Sequence, residues 1–205
     1  MALTFVFLIF GYFSGSILFA KTAEKLFKKD VTAKSNDSNP GAANAFVYGG
    51  FWVGVLTLTG DMLKGFLPVF LYLKLNGSIT SGTALVLAAP VLGHIFSVFY
   101  HFKGGKGIAT SFGSLLGLAP DLRAALTLAV IYIFLSVMVV VSPNVYRTIT
   151  AYGLFSASSF FLLPQIGVRV GVLIISSLVI IKHIVCDEDK KKLTVAVPVL
   201  RILGK

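Results

Sequence analysis

The chain has 205 residues, 56% of them hydrophobic and 13% charged, and its mean hydropathy of +0.90 excludes a water-soluble globular enzyme of ordinary composition. With about 20 apolar residues per crossing, seven spans would take roughly 140 residues, so almost the whole chain can lie in a membrane. The 18 Lys and Arg against 8 Asp and Glu give a formal charge of +10, which in such a protein reports sidedness before it reports a nucleic-acid partner; the single cysteine, Cys186, excludes a disulfide framework.

Leu3 to Ala20 carries no charge and predicts the first span. No basic stretch precedes it, and lysines rather than a small-residue cleavage site follow, so it reads as a retained helix and not as a signal peptide. Residues 21 to 45 turn polar, with Lys21, Lys25, Lys28, Lys29 and Lys34, and end in the turn formers Ser35-Asn36-Asp37-Ser38-Asn39-Pro40-Gly41. The second apolar segment, Gly49 to Leu73, contains Asp61 and Lys64, three apart on one helical face; as intramembrane ions they read either as functional groups or as a structural pair orienting the helix. The third, Thr83 to Phe102, is broken by Pro90, Gly93 and His94, which are tolerated at membrane depth where a helix faces protein or a cavity. Ile108 to Ala119 is too short for a full crossing and predicts a half-span. Ala124 to Ser142, Thr148 to Gly167 and Val170 to Val185 complete the set, and the tail carries Lys190, Lys191 and Lys192 before a short interfacial segment, Leu193 to Leu203, with Arg201 at its edge.

With the N-terminus outside, the inner loops and tail hold fourteen basic residues, Arg147 after the fifth segment and those from Lys182 onward among them, and the outer loops three, Lys74, Arg123 and Arg169; Lys64 lies within a span. The expected fold is therefore an all-α integral membrane protein of about seven helices, one short. Its N-terminus lies outside, its C-terminus is cytoplasmic, and residues 1–205 form one domain without internal repeats.

The most specific local signal is Gly93-His94, leading into Lys103-Gly104-Gly105-Lys106-Gly107 and on to Thr110. Glycines allow close backbone approach, their N–H groups form anion nests, a helix starting near Gly107 points its positive end at the same place, and two lysines add full charge. The composition is that of a phosphate cradle without the nucleotide-binding P-loop spacing; the plainer reading is a basic connector. Asn39-Pro40-Gly41-Ala42-Ala43-Asn44 is either a turn and helix start or a second wall of the same site, its amides aimed at phosphate or hydroxyl oxygens. His94 is the titratable candidate beside an attacking hydroxyl, or else a helix-packing histidine. His101 reads as interfacial. No histidine spacing supports a metal, and nothing calls for a cofactor.

Gly15-Ser16-Ile17, the Asn-Pro-Gly-Ala-Ala-Asn segment, Gly60-Asp61-Met62-Leu63-Lys64-Gly65 and the Gly-His to Lys-Gly-Gly-Lys-Gly block occur in an order that resembles the bacterial acyl-phosphate:glycerol-3-phosphate acyltransferases of the PlsY type, over nearly the whole chain. The resemblance implies a multi-pass enzyme of the bacterial inner membrane with its site on the cytoplasmic face. Such an enzyme moves an acyl group from acyl phosphate to the 1-hydroxyl of glycerol 3-phosphate, giving lysophosphatidic acid. It implies catalytic roles for His94, Lys106 and Asn39, and substrate binding by Ser16, Asn39, Gly41, Asn44, Lys103, Gly104, Gly105, Lys106, Gly107, Thr110, Thr148 and His183. Four positions depart from the family pattern: Asp37 replaces a serine and adds negative charge, the wrong sign for holding phosphate, beside the expected anion site; Val47 replaces an arginine; Thr148 replaces a serine but keeps the hydroxyl; and Cys186 replaces an asparagine. Asp37, Val47 and Cys186 leave open a divergent paralogue with another acceptor; a second alternative is a non-catalytic protein that binds a phosphorylated lipid or acts in transport.

Overall fold

The first span is a helix with a break in it. The computed structural model describes residues 1–33, 35, 37–186 and 192–198, so Lys34, Asn36, Lys190, Lys191 and Arg201, singled out above, lie outside the described residues. Helix α1 (Ala2–Ser16) stops at Ile17 and Leu18, which are extended, and α2 (Phe19–Phe27) carries the end of the apolar run, Phe19 and Ala20, on into the first lysines of the polar segment. A break at membrane depth leaves backbone groups without ladder partners. Here the Asp61–Lys64 pair of the next long helix supplies them: Lys64 donates to the Ile17 carbonyl at 2.6 Å, and the Phe19 N–H bonds to Asp61. The pair expected from the i, i+3 spacing thus forms, at 2.7 Å with both side chains 2% exposed, and the broken helix is its partner.

After α2, Glu24 accepts from the Val31 and Thr32 amides and the Thr32 hydroxyl, folding the polar loop back onto the helix. A single turn, α3 (Ala42–Asn44), runs into a π-helical turn and then into α4 (Phe51–Asn76), which at 26 residues is about 39 Å long. There follow α5 (Thr83–Ile95), continued by a 3-10 turn to Tyr100, then α6 (Ile108–Leu116) at nine residues, α7 (Arg123–Ile133), prolonged by a π turn to Met138, α8 (Asn144–Leu162) and α9 (Ile166–Val185). Among the described residues four stretches are long and apolar enough to cross a membrane: Ala2–Phe27, Phe51–Asn76, Thr83–Tyr100 and Ile166–Val185. Arg123–Met138 is apolar but shorter.

Two expectations change. Arg147 and Arg169 are not in loops but in the first turns of α8 and α9, just as Arg123 opens α7 and Lys74 and Lys182 lie in the last turns of α4 and α9. In α8 and α9 the guanidinium folds back onto carbonyls before its helix, Arg147 onto Val141 and Arg169 onto Leu163 and Pro164, so the helix begins upstream of the charge. The fold is also not purely helical: β1 (Val140–Ser142) pairs antiparallel with β2 (Thr194–Ala196), so the start of the expected interfacial segment is an edge-paired strand. Such pairing depends on two segments some fifty residues apart, which local pattern cannot register.

The helices touch through small residues, as expected where lipid offers no hydrophobic drive between them. A Cβ on Gly15 would overlap the Pro90 carbonyl and one on Gly93 the Tyr12 carbonyl, so α1 and α5 meet backbone to backbone. One on Gly113 would overlap the Met62 carbonyl, which brings α6 against the middle of α4. Tyr72, Tyr152 and Phe155 fill the core between them, while Phe5, Trp52 and Phe161 stand exposed on the outer surface.

Candidate active site

These contacts leave a cavity of about 450 Å³ between the 37–44 segment, the middle of α4, the end of α5, the start of α6, the first turn of α8 and the end of α9. Of the residues expected at a site, Asn39, Gly41, Asn44, His94, Lys106, Gly107, Thr148 and His183 line it; Ser16, Lys103, Gly104, Gly105 and Thr110 do not. A second hollow, of about 440 Å³, shares no lining residue with the first and is walled mainly by apolar groups such as Phe70, Leu73 and Leu118.

At one wall Asp37 Oδ2 pairs with Lys106 Nζ at 2.6 Å. Asp37 Oδ1 accepts from Asn44 Nδ2 at 2.8 Å and from the Asn39 amide at 3.2 Å, and Asn44 Nδ2 also donates to the Asn39 carbonyl at 2.9 Å. Aspartate here therefore does more than add charge of the wrong sign: it ties the asparagine segment to the glycine loop. Burial pushes the Asp37 carboxyl up, but the hydrogen bonds from Lys106 and Asn44 and the lysine's charge outweigh it and hold the group below the usual carboxylate range. A carboxyl depressed in the folded state stabilises above its unfolded pKa, and that contribution is lost as pH falls through the folded value. Turnover should accordingly show no Asp37 step between roughly pH 5 and 8, and thermal stability should lose the pair's contribution only below about pH 4. A pH series of melting temperatures for wild type and Asp37→Ser checks this; equal acid sensitivity in both would contradict it.

The glycine loop is built differently from an open nest. The Gly104 and Gly105 amides donate to the Ile95 and His94 carbonyls at 3.1 and 3.0 Å, so these two N–H groups close the loop against α5 and do not face a ligand. Their missing side chains matter instead, since a Cβ at Gly104 would overlap the His94 carbonyl and one at Gly105 the His94 ring at Nε2. Gly107 sits at φ +85°, a left-handed conformation natural to glycine, and turns the chain into α6. The first-turn amides of α6 have no intrahelical acceptors, and Gly107, Ile108 and Ala109 line the cavity. On this wall the groups that face the cavity are therefore Lys106, paired with Asp37, and the start of α6. Lys103 is exposed. Thr110 is buried, its hydroxyl without a hydrogen-bond partner, and Ser16 bonds to the Tyr12 and Gly93 carbonyls while its own carbonyl accepts from Ser97, joining α1 to α5.

On the opposite wall the Thr148 hydroxyl meets the Tyr132 hydroxyl at 2.5 Å. His183 Nδ1 lies 2.8 Å from the Val179 carbonyl; because a carbonyl only accepts, that nitrogen carries the proton. Sequence reasoning missed Asn144, Tyr132 and Arg147, all cavity-lining. Arg147 had a signal, adjacency to Thr148, but was assigned to sidedness. Tyr132, sixteen residues before Thr148 on another helix, had none. Val47, at the position of the missing arginine, is 73% exposed and does not line the cavity.

A family model described as glycerol-3-phosphate acyltransferase matches residues 5–186. The glycerol-3-phosphate acyltransferase of Methylobacillus flagellatus is 37% identical over 180 residues, covering 87% of this chain and 88% of that protein. That of Trichlorobacter lovleyi is 40% identical over 173 residues, covering 84% and 86%. Among solved structures, the glycerol 3-phosphate form of PlsY (YgiH), an integral membrane glycerol 3-phosphate acyltransferase, superposes with a TM-score of 0.76 at 29% identity, over 98% of this chain and 92% of that one. Its lysophosphatidic acid form gives 0.72 at 32%, over 88% and 87%. With the family model, the relatives and the fold agreeing along nearly its full length, the chain belongs to the glycerol-3-phosphate acyltransferase family.

Proposed function

We propose that the chain transfers a fatty acyl group from acyl phosphate to the 1-hydroxyl of glycerol 3-phosphate, releasing lysophosphatidic acid and inorganic phosphate. The observation that carries this reading is one cavity that holds Lys106 and the start of α6 together with Arg147, Thr148 and His183, cationic and donor groups enough for two phosphorylated substrates. An acyl phosphate is already activated, so the protein's task is alignment of two anions and stabilisation of developing charge. The donor phosphate sits at Lys106 and the first turn of α6. Asn39 and Asn44 shape the wall between Asp37 and the glycine loop.

The acceptor's phosphate is held by Arg147. Its Nε is fixed on the Val141 carbonyl at 3.0 Å, while its terminal nitrogens have no hydrogen-bond partner among the described residues, the arrangement that suits a bidentate clamp. The guanidinium that the family pattern places at position 47 is thereby supplied from α8. Arg147→Lys is expected to raise KM for glycerol 3-phosphate about tenfold with little change in kcat, since a hydrogen bond to a charged group contributes about 1.5–3 kcal/mol and lysine keeps only part of it. An unchanged KM would place the acceptor elsewhere.

For the membrane we propose the arrangement read from charge: seven segments, α6 as the half-span, N-terminus outside, C-terminus and site on the cytoplasmic side of a bacterial inner membrane, one domain throughout. The experiment is phosphate release from acyl phosphate by the purified chain in lipid. Release that requires glycerol 3-phosphate supports the reading; release independent of it, or none, contradicts it.

A further inference from the structure

Lys64 Nζ stands 2.6 Å from the Ile17 carbonyl oxygen, 2.7 Å from His94 Nδ1 and 2.7 Å from Asp61 Oδ1. The contacts to Ile17 and His94 have hydrogen-bond geometry, and Asp61 is bound as an ion pair. Counting protons fixes the imidazole. The carbonyl only accepts, so one Lys64 N–H is committed to Ile17. A charge-balanced Asp61–Lys64 pair has one proton to share. If the lysine holds it, a second N–H serves Asp61 and the third points at His94. If the carboxyl holds it, the amine's lone pair is used on Asp61 and the second N–H again points at His94. The lysine lone pair reaches His94 only when the Asp61–Lys64 pair is itself negative; that either buries a net charge or moves the lysine's proton onto the intrinsically far less basic imidazole, 3.7 Å from Asp61 Oδ1, and both are disfavoured. In both balanced forms His94 Nδ1 is the acceptor, and a neutral imidazole with its lone pair on Nδ1 carries its proton on Nε2. The Nε2 edge lies against Gly105, where a Cβ would overlap it, and His94 lines the cavity beside Lys106 and Gly107.

We infer that Asp61 and Lys64 are positioning residues that hold His94 as a fixed Nε2–H donor, aimed at negative charge on the departing phosphate and not at the proton of the acceptor hydroxyl. The inference rests on the acyl-transfer reading above. In that reaction the hydroxyl oxygen bonds to the acyl carbon, the acyl carbon–oxygen bond to phosphorus-bound oxygen breaks with its electron pair leaving on phosphate, and the hydroxyl proton balances the inorganic phosphate released. His94 ends with the proton it began with.

Wild-type chain with isotope-labelled histidine, in lipid nanodiscs without substrate, tests the tautomer by NMR, the His94 signals being those that vanish in His94→Gln. The expected result is an unprotonated Nδ1 and a protonated Nε2; a protonated Nδ1, in neutral ring or imidazolium, overturns the inference. In kinetics, His94→Gln, which keeps an amide donor, should retain at least about tenfold more turnover than His94→Ala. Equal losses would remove the donor role. The charge-balanced double variant Asp61→Asn, Lys64→Met should show mixed tautomers and a kcat about tenfold lower at nearly unchanged KM; a single Nε2–H tautomer there would show that the pair does not position the ring. Should that variant fail to fold, the wild-type spectrum and the two His94 variants decide. If wild type gave no acceptor-dependent phosphate release, the acyltransferase reading would fail while the spectrum still reported the tautomer.

Discussion

Replacing Lys106 by alanine is expected to lower kcat/KM about 10²–10³-fold, the range measured when one preorganised donor to developing charge is removed. Lys106 is 8% exposed and lines the cavity beside the α6 N-terminus, so its charge acts where water screens it little. The same lysine neutralises Asp37, and its loss leaves a half-buried carboxylate with Asn44 and the Asn39 amide as its remaining partners, a change that weakens the loop as well as the chemistry. The double variant Asp37→Ser, Lys106→Ala separates the two. It should recover the melting temperature lost in Lys106→Ala and leave turnover low. Recovery of turnover in the double variant would mean that Lys106 serves only to neutralise Asp37 and that phosphate is held by other groups.

Helix positions were readable in the sequence because apolar runs bounded by charge and glycine are local: the segments from Leu3, Gly49, Thr83, Ile108 and Ala124 all correspond to helices. What was not readable was set by contacts distant in sequence. The break at Ile17 lies inside an unbroken apolar run, and the carbonyl it frees is met by Lys64 on another helix. Arg147 and Arg169 looked like loop charges because a guanidinium that folds back on preceding carbonyls leaves no trace in composition.

The site divides in the same way. Asn39, Asn44, Lys106 and His94 stood out by residue type and spacing, and all four line the cavity. Their partners did not. Asp37 reads in sequence as an unfavourable charge, and it is the Lys106 contact, 69 positions away, that makes it a tie between the asparagine segment and the glycine loop. Gly104 and Gly105 read in the sequence as places where the backbone approaches a ligand, but what approaches them is α5, through the His94 and Ile95 carbonyls. Spacing shows that a side chain must be absent; the neighbour that requires its absence has to be seen.

That difference sets the second large effect. Gly104→Ala places its Cβ on the His94 backbone carbonyl, and neither side of that contact can rotate away, so the loop or the end of α5 must shift. Overpacking of this kind costs about 1–3 kcal/mol or more, and a displacement near 1 Å at Lys106 or His94 is enough to lower turnover about 10²-fold. The contrast is Gly153 in α8, where an added Cβ meets nothing within 4 Å; Gly153→Ala should leave activity unchanged and hold or raise the melting temperature, alanine being about 1 kcal/mol the better helix former. Thermal unfolding in detergent together with acyl transfer in lipid reads both variants. Were Gly104→Ala as active as Gly153→Ala, the loop would not be clamped to α5 during turnover, and the glycines would have to act as the open nest that their composition first implied.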